Sequence, residues 1–592
     1  MSDCPHRPEC PGCPLIELPY AEQLRGKHQT TIAALNAYRS TNPMFADIKV
    51  HDPIPAKMRR RYRLRVKWVV DGSHIGLYGP QHHVVDTPDC VVVPEVALRI
   101  ANVFRGQLPY LPNGSRLVAL DIRTDGQGNA VPTLILEGVD GGASHPDIRQ
   151  DGARLARMVM SQLPGEVIGV AVGVRSGSAA TVLGEAPIPV LGTTELSQQV
   201  GSVVVQSPAG VFTQVHADQA ALLQKKIREV VSTQPGIAGG SVVDLYAGTG
   251  AHGLAVSDIA EQTVLVESYE PAAEAAWRSA QHLPRHLGDK VDVWAMPVEE
   301  ALTDLGTDTP RPWVVIANPP RSGLSADTLY GLIGSQPERI VMVSCDPETL
   351  ARDMAILAGF GYRAADAYPI DMIPETPHIE TVVVLQAGSP PRLPIRYQGD
   401  HFVAVDKPPL LPTIPHSEWP WSALESVRRD FPDVQPLHRL DVGTSGLVLF
   451  GDPSRENPIQ SAQKTYLALV KGITHKGGNI TRPVWENGRE WTAHTRYKRV
   501  DVIAGHSLVE VSLLTGRTHQ IRKHFAIIGH PVLGDDRYGD PATNRHFAMR
   551  SGLIRPFLHA ATLRWDGGEI TSPLWPDLQT TLTNLGMTKL GR

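Results

Sequence analysis

Five cysteines occur in the 592 residues: Cys4, Cys10, Cys13 and Cys90 within the first hundred, and Cys345 alone in VSCDPETLARD. Clustered thiols in a reducing compartment suggest a metal, and an isolated one suggests covalent catalysis. Cys345 follows the apolar run IVMV and precedes an acidic turn broken by proline, which places it at the carboxyl end of a buried strand. A buried inert cysteine is the ordinary alternative. Against it stands Glu380 in HIETVVVL, which ends up on a neighbouring strand of the same layer, so a nucleophile and a base would share one end of a sheet. DLYAGTGAHGL (244–254) sets a carboxylate at a strand end and leads through Gly248, Gly250 and Gly253 into a helix, a turn that lets a ligand approach the backbone closely. Formally it is G-x-G-x-x-G, which alone is weak support for a dinucleotide. Glu267 ends the next strand, where an acid can bind ribose hydroxyls, and NPPR (318–321) ends a later one. CPHRPECPGC has C-x5-C-x2-C spacing with Cys90 as a distant fourth ligand; zinc accepts four such thiolates, and His6 could also serve. In QPLHRLDVGTSGLVLF, Asp441 is flanked by His438 and Arg439, although an Asp in a tight turn is usually structural.

These residues need elements to hold them. A chain of this length divides into about three or four domains. Segments 1–44 (the cysteines and a helix near 20–40) and 45–205 (alternating apolar residues with Gly and Pro turns) read as a cysteine-cluster and β-rich region. From 206 to 388, strand, turn and helix units follow in series, the pattern of a parallel sheet covered on both faces, so the fold class is a doubly wound, Rossmann-like α/β domain within a multidomain α/β and α+β chain. Residues 389–394 read as a linker, and 395–592 form a further domain. Residues 391–592 hold 25 Lys+Arg against 19 Asp+Glu, a net of +6, and the remainder holds 31 against 42, a net of −11. Within the acidic part, KMRRRYRLRVK (57–67) carries seven basic residues in eleven and reads as a strip for a nucleic-acid backbone. The amino terminus lacks the basic and apolar regions of an export signal, and no apolar run is long enough for a bilayer, so the reading is cytoplasmic.

The glycine loop, Glu267 and NPPR together resemble S-adenosylmethionine-dependent methyltransferases. A thiolate, a carboxylate and a methyl donor suit methylation at a carbon that is not nucleophilic unaided, such as uracil C5. A thiolate added to C6 makes C5 enolate-like, and a base must then remove the C5 proton: Cys345 as nucleophile, Glu380 as base. FTQVH (212–216), DLYAGTG, NPPRSGL, SCDPETLARD and PETPHIETVVVL, in that order, resemble the RNA 5-methyluridine methyltransferase family over residues 1 to about 388. The resemblance implies that Gln214, Tyr246, Glu267 and Asn318 contact S-adenosylmethionine; many members carry Asp at the position of Asn318. It also implies that Cys4, Cys10, Cys13 and Cys90 bind a structural [4Fe-4S] cluster, with zinc as the alternative that spacing leaves open. No TRAM-like leader precedes the cysteines, so further RNA contact is expected from elsewhere.

HRLD-x-x-TSG with KTYLALVKG (464–472) and TGRTHQIR-x-H resembles the RluA-type pseudouridine synthases over about 395–570. The resemblance implies a mixed antiparallel-sheet domain that detaches uracil from ribose and rejoins it through C5 without a cofactor. Asp441 would be the catalytic carboxylate, Tyr466 would stack on the base, Arg522 would pair with Asp441, and Arg439 could fill the space left by the base. With no S4-like module ahead of this domain, its own basic surface or the attached methyltransferase would supply affinity. Both chemistries need an unstacked uracil, which costs least in a loop. The expected substrate is therefore RNA, with two nearby uridines of a 23S rRNA loop as the specific expectation. The alternatives are tRNA for the same two activities, and an RNA-binding ribosome-assembly factor with incidental catalysis.

Overall fold

The computed structural model describes residues 4–38, 48–108, 117–138, 146–175, 186–305, 309–311, 313–388, 391–416, 419, 421–455, 462–486, 488–565 and 567–587. Residues 389 and 390 of the expected linker lie outside this set. No helix among the described residues is long and apolar enough to cross a membrane.

The runs SVVDL, QTVLV, WVVIA and RIVMVS are apolar almost throughout, as strands buried on both faces must be. They form the centre of an eight-stranded sheet in the order Lys49–Val50, Arg363–Ile370, Glu380–Gln386, Arg339–Ser344, Trp313–Ala317, Ser241–Leu245, Gln262–Val266, Val291–Trp294. Every pairing is parallel except those of Glu380–Gln386, which runs antiparallel to both neighbours. The outermost strand, Lys49–Val50, comes from the amino-terminal part of the chain, so this sheet draws on residues well before 206.

The region before it holds a seven-stranded sheet, antiparallel except where Ala130–Glu137 pairs parallel with Gly169–Arg175. A parallel pair needs a crossover, and helix Pro146–Gln162 supplies it. With helix Glu95–Gln107, this makes the region more helical than its Gly and Pro punctuation suggests. The carboxyl-terminal domain is built on a ten-stranded mixed sheet in which Ser445–Gly451 meets Leu558–Trp565 in parallel and the other neighbours run antiparallel.

Two seams join these parts. Helix Tyr20–Asn36 lies against helix Pro347–Ala358, and its buried face is largely polar: Gln23, Lys27, Thr31 and Leu35. Gln23 donates to Glu375, and Lys27 makes an ion pair with Asp371 in which both side chains are buried. Between the two large domains, Trp419 stacks on Phe360 and meets Tyr330 edge-on, with ring centroids 5.5 and 5.1 Å apart. Arg352 donates to the carbonyl of Gly552 at 2.9 Å. One buried apolar cluster runs from Met354 and Phe360 through Val403 and Val405 to Phe525.

Candidate functional sites

The strand Arg339–Ser344 ends one residue before Cys345, and Asp346 then caps helix Pro347–Ala358 by accepting from the backbone N–H groups of Glu348 and Thr349 at 3.1 Å. The antiparallel ladder with Glu380–Gln386 ends at the pair Ser344 and Thr381, and Cys345 and Glu380 flank that pair on the two segments, close enough for the Glu380 charge to act on the Cys345 thiol. Cys345 is half-buried and Glu380 is buried. Burial, with Glu380's charge second, pushes the Cys345 thiol up to about 11, and Arg321 opposes the shift. Burial alone raises Glu380 to about 7. Arg321, of the NPPR segment, also meets His378 at 3.3 Å.

The glycine loop opens at the carboxyl end of Ser241–Leu245, which the strand Trp313–Ala317 separates from Arg339–Ser344 in the sheet order. Tyr246, Gly248 and Gly250 have φ of 60, 57 and 84°, the left-handed region that favours glycine. At Gly253 a Cβ would come within 2.3 Å of Leu265, so the helix can approach the sheet only with glycine there. Gly253 N–H donates to Asp244 at 2.8 Å, and burial raises that carboxyl to about 7. Glu267 accepts from the N–H of Gly248 at 2.9 Å and of Tyr269 at 2.8 Å, which ties the loop to the neighbouring strand. Tyr246 hydrogen-bonds Thr328 at 3.0 Å, and the Asn318 amide meets His252 at 3.3 Å. Gln214 is half-buried, in the segment leading to helix Ala217–Ser232. His252 was not singled out from the sequence; it is buried, its imidazole is held neutral by burial, and its position inside the glycine motif was the available signal.

Cys4, Cys10, Cys13 and Cys90 line one cavity of about 540 Å³ that extends to Phe212 and His378. Burial, then the charge of Cys90, pushes the Cys13 thiol up to about 12. Among the described residues, no group of three or more His, Cys, Asp or Glu stands ready-made to hold a metal ion. The basic strip 57–67 is not the open surface expected from its sequence. Arg59 and Arg60 bond buried Glu375 at 3.1 and 2.8 Å, Arg61 bonds Glu95 at 2.8 Å, and Arg65 forms a double hydrogen bond with buried Asp121. Only residues from Arg65 onward are strand. The sequence could not show that carboxylates distant in the chain neutralise these guanidinium groups from within.

In the carboxyl-terminal domain, Asp441 precedes the strand Ser445–Gly451, and Tyr466 lies buried on Gln463–Val470. Tyr466 is raised by burial and by the charge of Asp441. Arg522, on helix Gln520–Ile527, faces Asp441 at 3.9 Å, but its two strong hydrogen bonds go to buried Asp535, both at 2.7 Å. The pairing expected from the sequence is thus a loose one, and Asp535 anchors the guanidinium. His519 also stands 3.9 Å from Asp441; it lies inside TGRTHQIR, so the sequence carried its signal. Arg439 is exposed on the approach to Asp441.

Residues 193–388 match the family model described as tRNA (Uracil-5-)-methyltransferase, and residues 401–527 match the one described as RNA pseudouridylate synthase. The chain therefore carries an RNA methyltransferase domain and a pseudouridylate synthase domain, the composition of a bifunctional RNA-modifying enzyme. More particularly, it is similar to an uncharacterized RNA methyltransferase of Geobacter sulfurreducens, 28% identical over 396 residues, covering 64% of this chain and 76% of the relative. A second uncharacterized RNA methyltransferase, from Listeria monocytogenes, is 26% identical over 65% of this chain and 83% of its own length. Among solved structures, tRNA (uracil-54, C5)-methyltransferase of Pyrococcus abyssi in complex with S-adenosyl-L-homocysteine matches with a TM-score of 0.47 and 22% identity, over 64% of this chain and 86% of that one. Human RNA Pseudouridylate Synthase Domain Containing 1 matches with a TM-score of 0.26 and 26% identity, over 31% of this chain and 83% of that one.

Proposed function

We propose that the protein methylates C5 of one uridine in RNA and isomerises a second uridine to pseudouridine, acting in the cytoplasm. The closeness of Cys345 and Glu380, at the end of the sheet that also carries the glycine loop, supports the first half. With an unstacked uracil in place, the Cys345 thiol gives up its proton to water and the resulting thiolate adds to C6, so that C5 can accept a methyl group. Glu380, raised to about 7, takes the C5 proton near neutral pH. The C6–S bond then breaks and the thiolate is regenerated. S-adenosylmethionine, when bound, supplies the methyl group; Gln214, Tyr246, Glu267 and Asn318 would hold it along the strand ends. In the second domain Asp441 acts on the ribose of the target, Tyr466 stacks on the base, and Arg522, fixed by Asp535, keeps a positive charge near Asp441.

Four thiols line one cavity as an all-sulfur ligand set, and although they are not gathered into a ready-made metal site, Cys4, Cys10, Cys13 and Cys90 would hold a structural [4Fe-4S] cluster, with zinc as the other ion such a set accepts. Bound there, it would cross-link the amino terminus to the seven-stranded sheet. The RNA we favour is a 23S rRNA loop carrying both uridines. The tRNA reading has one observation of its own, the description of the matching methyltransferase family. Mapping 5-methyluridine and pseudouridine in rRNA and tRNA from a deletion strain separates them: loss of both marks from 23S rRNA supports our reading, and loss confined to tRNA replaces it. Retention of both marks in every RNA overturns the enzymatic reading.

A further inference from the structure

Beside Asp441, the hairpin Val484–Glu486 to Arg489–Trp491 and the helix Gln520–Ile527 enclose an open recess of about 580 Å³. That volume is within the usual range of roughly 300–1,000 Å³ for ligand sites. Its wall includes Trp485, His519, Lys523, Ile527, Arg537 and Tyr538. Trp485 is 64% exposed and Ile527 40% exposed, so an indole and an aliphatic side chain stand in water at its rim. Lys523 and Arg537 bring two cationic side chains, and among the described residues no carboxylate lines the recess. Asp536 bonds Arg522 at 3.3 Å, and Glu490, opposite Trp485 in the hairpin, lies outside the lining. Lys523 donates one N–H to the carbonyl of Trp485 at 2.9 Å, which fastens the hairpin to the helix and leaves its other donors for a ligand. Beyond the rim, Arg489 and Arg517 each place a guanidinium 4.7 Å from the ring centre of Trp491.

His519, in the wall of the recess, hydrogen-bonds Tyr538 at 3.1 Å and stands 3.9 Å from the Asp441 carboxylate. His519 has φ 56°, a strained backbone for a residue other than glycine, of the kind found at ligand-binding turns. An exposed indole beside two cationic side chains suits an unpaired nucleic-acid base and its phosphate, because every base has a face to stack and every phosphate a charge to neutralise.

We propose that this recess seats an unpaired RNA base next to the uridine on which Asp441 acts, with the base stacked on Trp485 and its phosphate held by Lys523 and Arg537. This rests on the reading of Asp441 as the pseudouridine-forming carboxylate. Wild-type activity tests that reading separately: if the full-length wild type forms no pseudouridine in any RNA, the reading of Asp441 falls. Where the wild type is active, its KM for an oligoribonucleotide containing the modified uridine is compared with those of Trp485→Ala, Trp485→Phe and the double variant Lys523→Gln, Arg537→Gln. Trp485→Ala should raise KM by about tenfold or more with kcat little changed, Trp485→Phe should restore most of it, and the double variant should flatten the salt dependence of binding. An abasic site beside the target should weaken wild-type binding and leave Trp485→Ala unaffected, since the same stack is then missing twice. Unchanged KM in Trp485→Ala, or equal abasic penalties in both proteins, overturns the proposal, and the recess would then face a protein partner.

Discussion

Replacing Glu380 with Gln separates the cost of burying an acid from its use. Its carboxyl is raised from 4.5 to about 7 by burial, so the folded protein holds this proton more tightly than the unfolded chain does. For such a group the stability contribution is fully present below the unfolded value and is lost as pH rises through the folded one. The shift corresponds to an upper bound of about 3 kcal/mol of stability lost between roughly pH 4.5 and 7. Glutamine keeps the shape and carries no charge. Urea unfolding of Glu380→Gln should therefore show a gain over wild type that is about 2.5 kcal/mol larger at pH 8 than at pH 5. In the same variant, Cys345 can still add to C6 and the methyl group can still transfer, but the C5 proton has no base. The protein should accumulate covalently on RNA in the presence of S-adenosylmethionine, seen as a denaturation-resistant shift in a gel, and Cys345→Ala should abolish it. A stability difference equal at both pH values would refute the burial argument, and full turnover by Glu380→Gln would refute the role of base.

The two sites have separate carboxylates, so Asp441→Asn should abolish pseudouridine formation and leave 5-methyluridine formation within about twofold, measured by nucleoside mass spectrometry on one RNA. Release of methylated RNA from the covalent adduct, the step that needs the base, should speed up with pH through about 7 as Glu380 ionises, followed under single-turnover conditions; a flat profile from pH 6 to 8 would count against that base. Trp419→Ala removes the ring packed on Phe360 and Tyr330, at a cost of about 3 kcal/mol, and should split calorimetric unfolding into two transitions. Anaerobically purified protein should contain about four irons with visible absorbance, and Cys13→Ser should lose them; stoichiometric zinc in place of iron would assign the other occupant.

Motifs that act through local geometry were legible early. A glycine loop between a strand and a helix, a cysteine after an apolar run and an acid at the head of a strand have positions set by their own neighbours. The approach of Cys345 to Glu380 could be anticipated as a shared layer, but the register of Arg339–Ser344 with Glu380–Gln386, which ends one residue short of both, came only from the structure. The basic run 57–67 shows the opposite case. Charge density along a chain predicts a surface only when no distant carboxylate is folded against it, and Glu375 and Asp121 are folded against this one. Helix Tyr20–Asn36 buries Gln23, Lys27 and Thr31, a stripe that apolar periodicity assigns to solvent, because Glu375 accepts from Gln23, Asp371 pairs with Lys27, and Thr31 donates to the Lys27 carbonyl.

The sequence by itself determined which side chains could do chemistry and that two separate chemistries share the chain, since residue type and local spacing set both. Tertiary structure alone decided which charges remain available to a ligand, where Arg522 is anchored and how the two domains meet around Trp419. Those outcomes depend on contacts that local spacing does not set, from 13 residues apart for Arg522 and Asp535 to 316 for Arg59 and Glu375, and each is fixed only when the core closes.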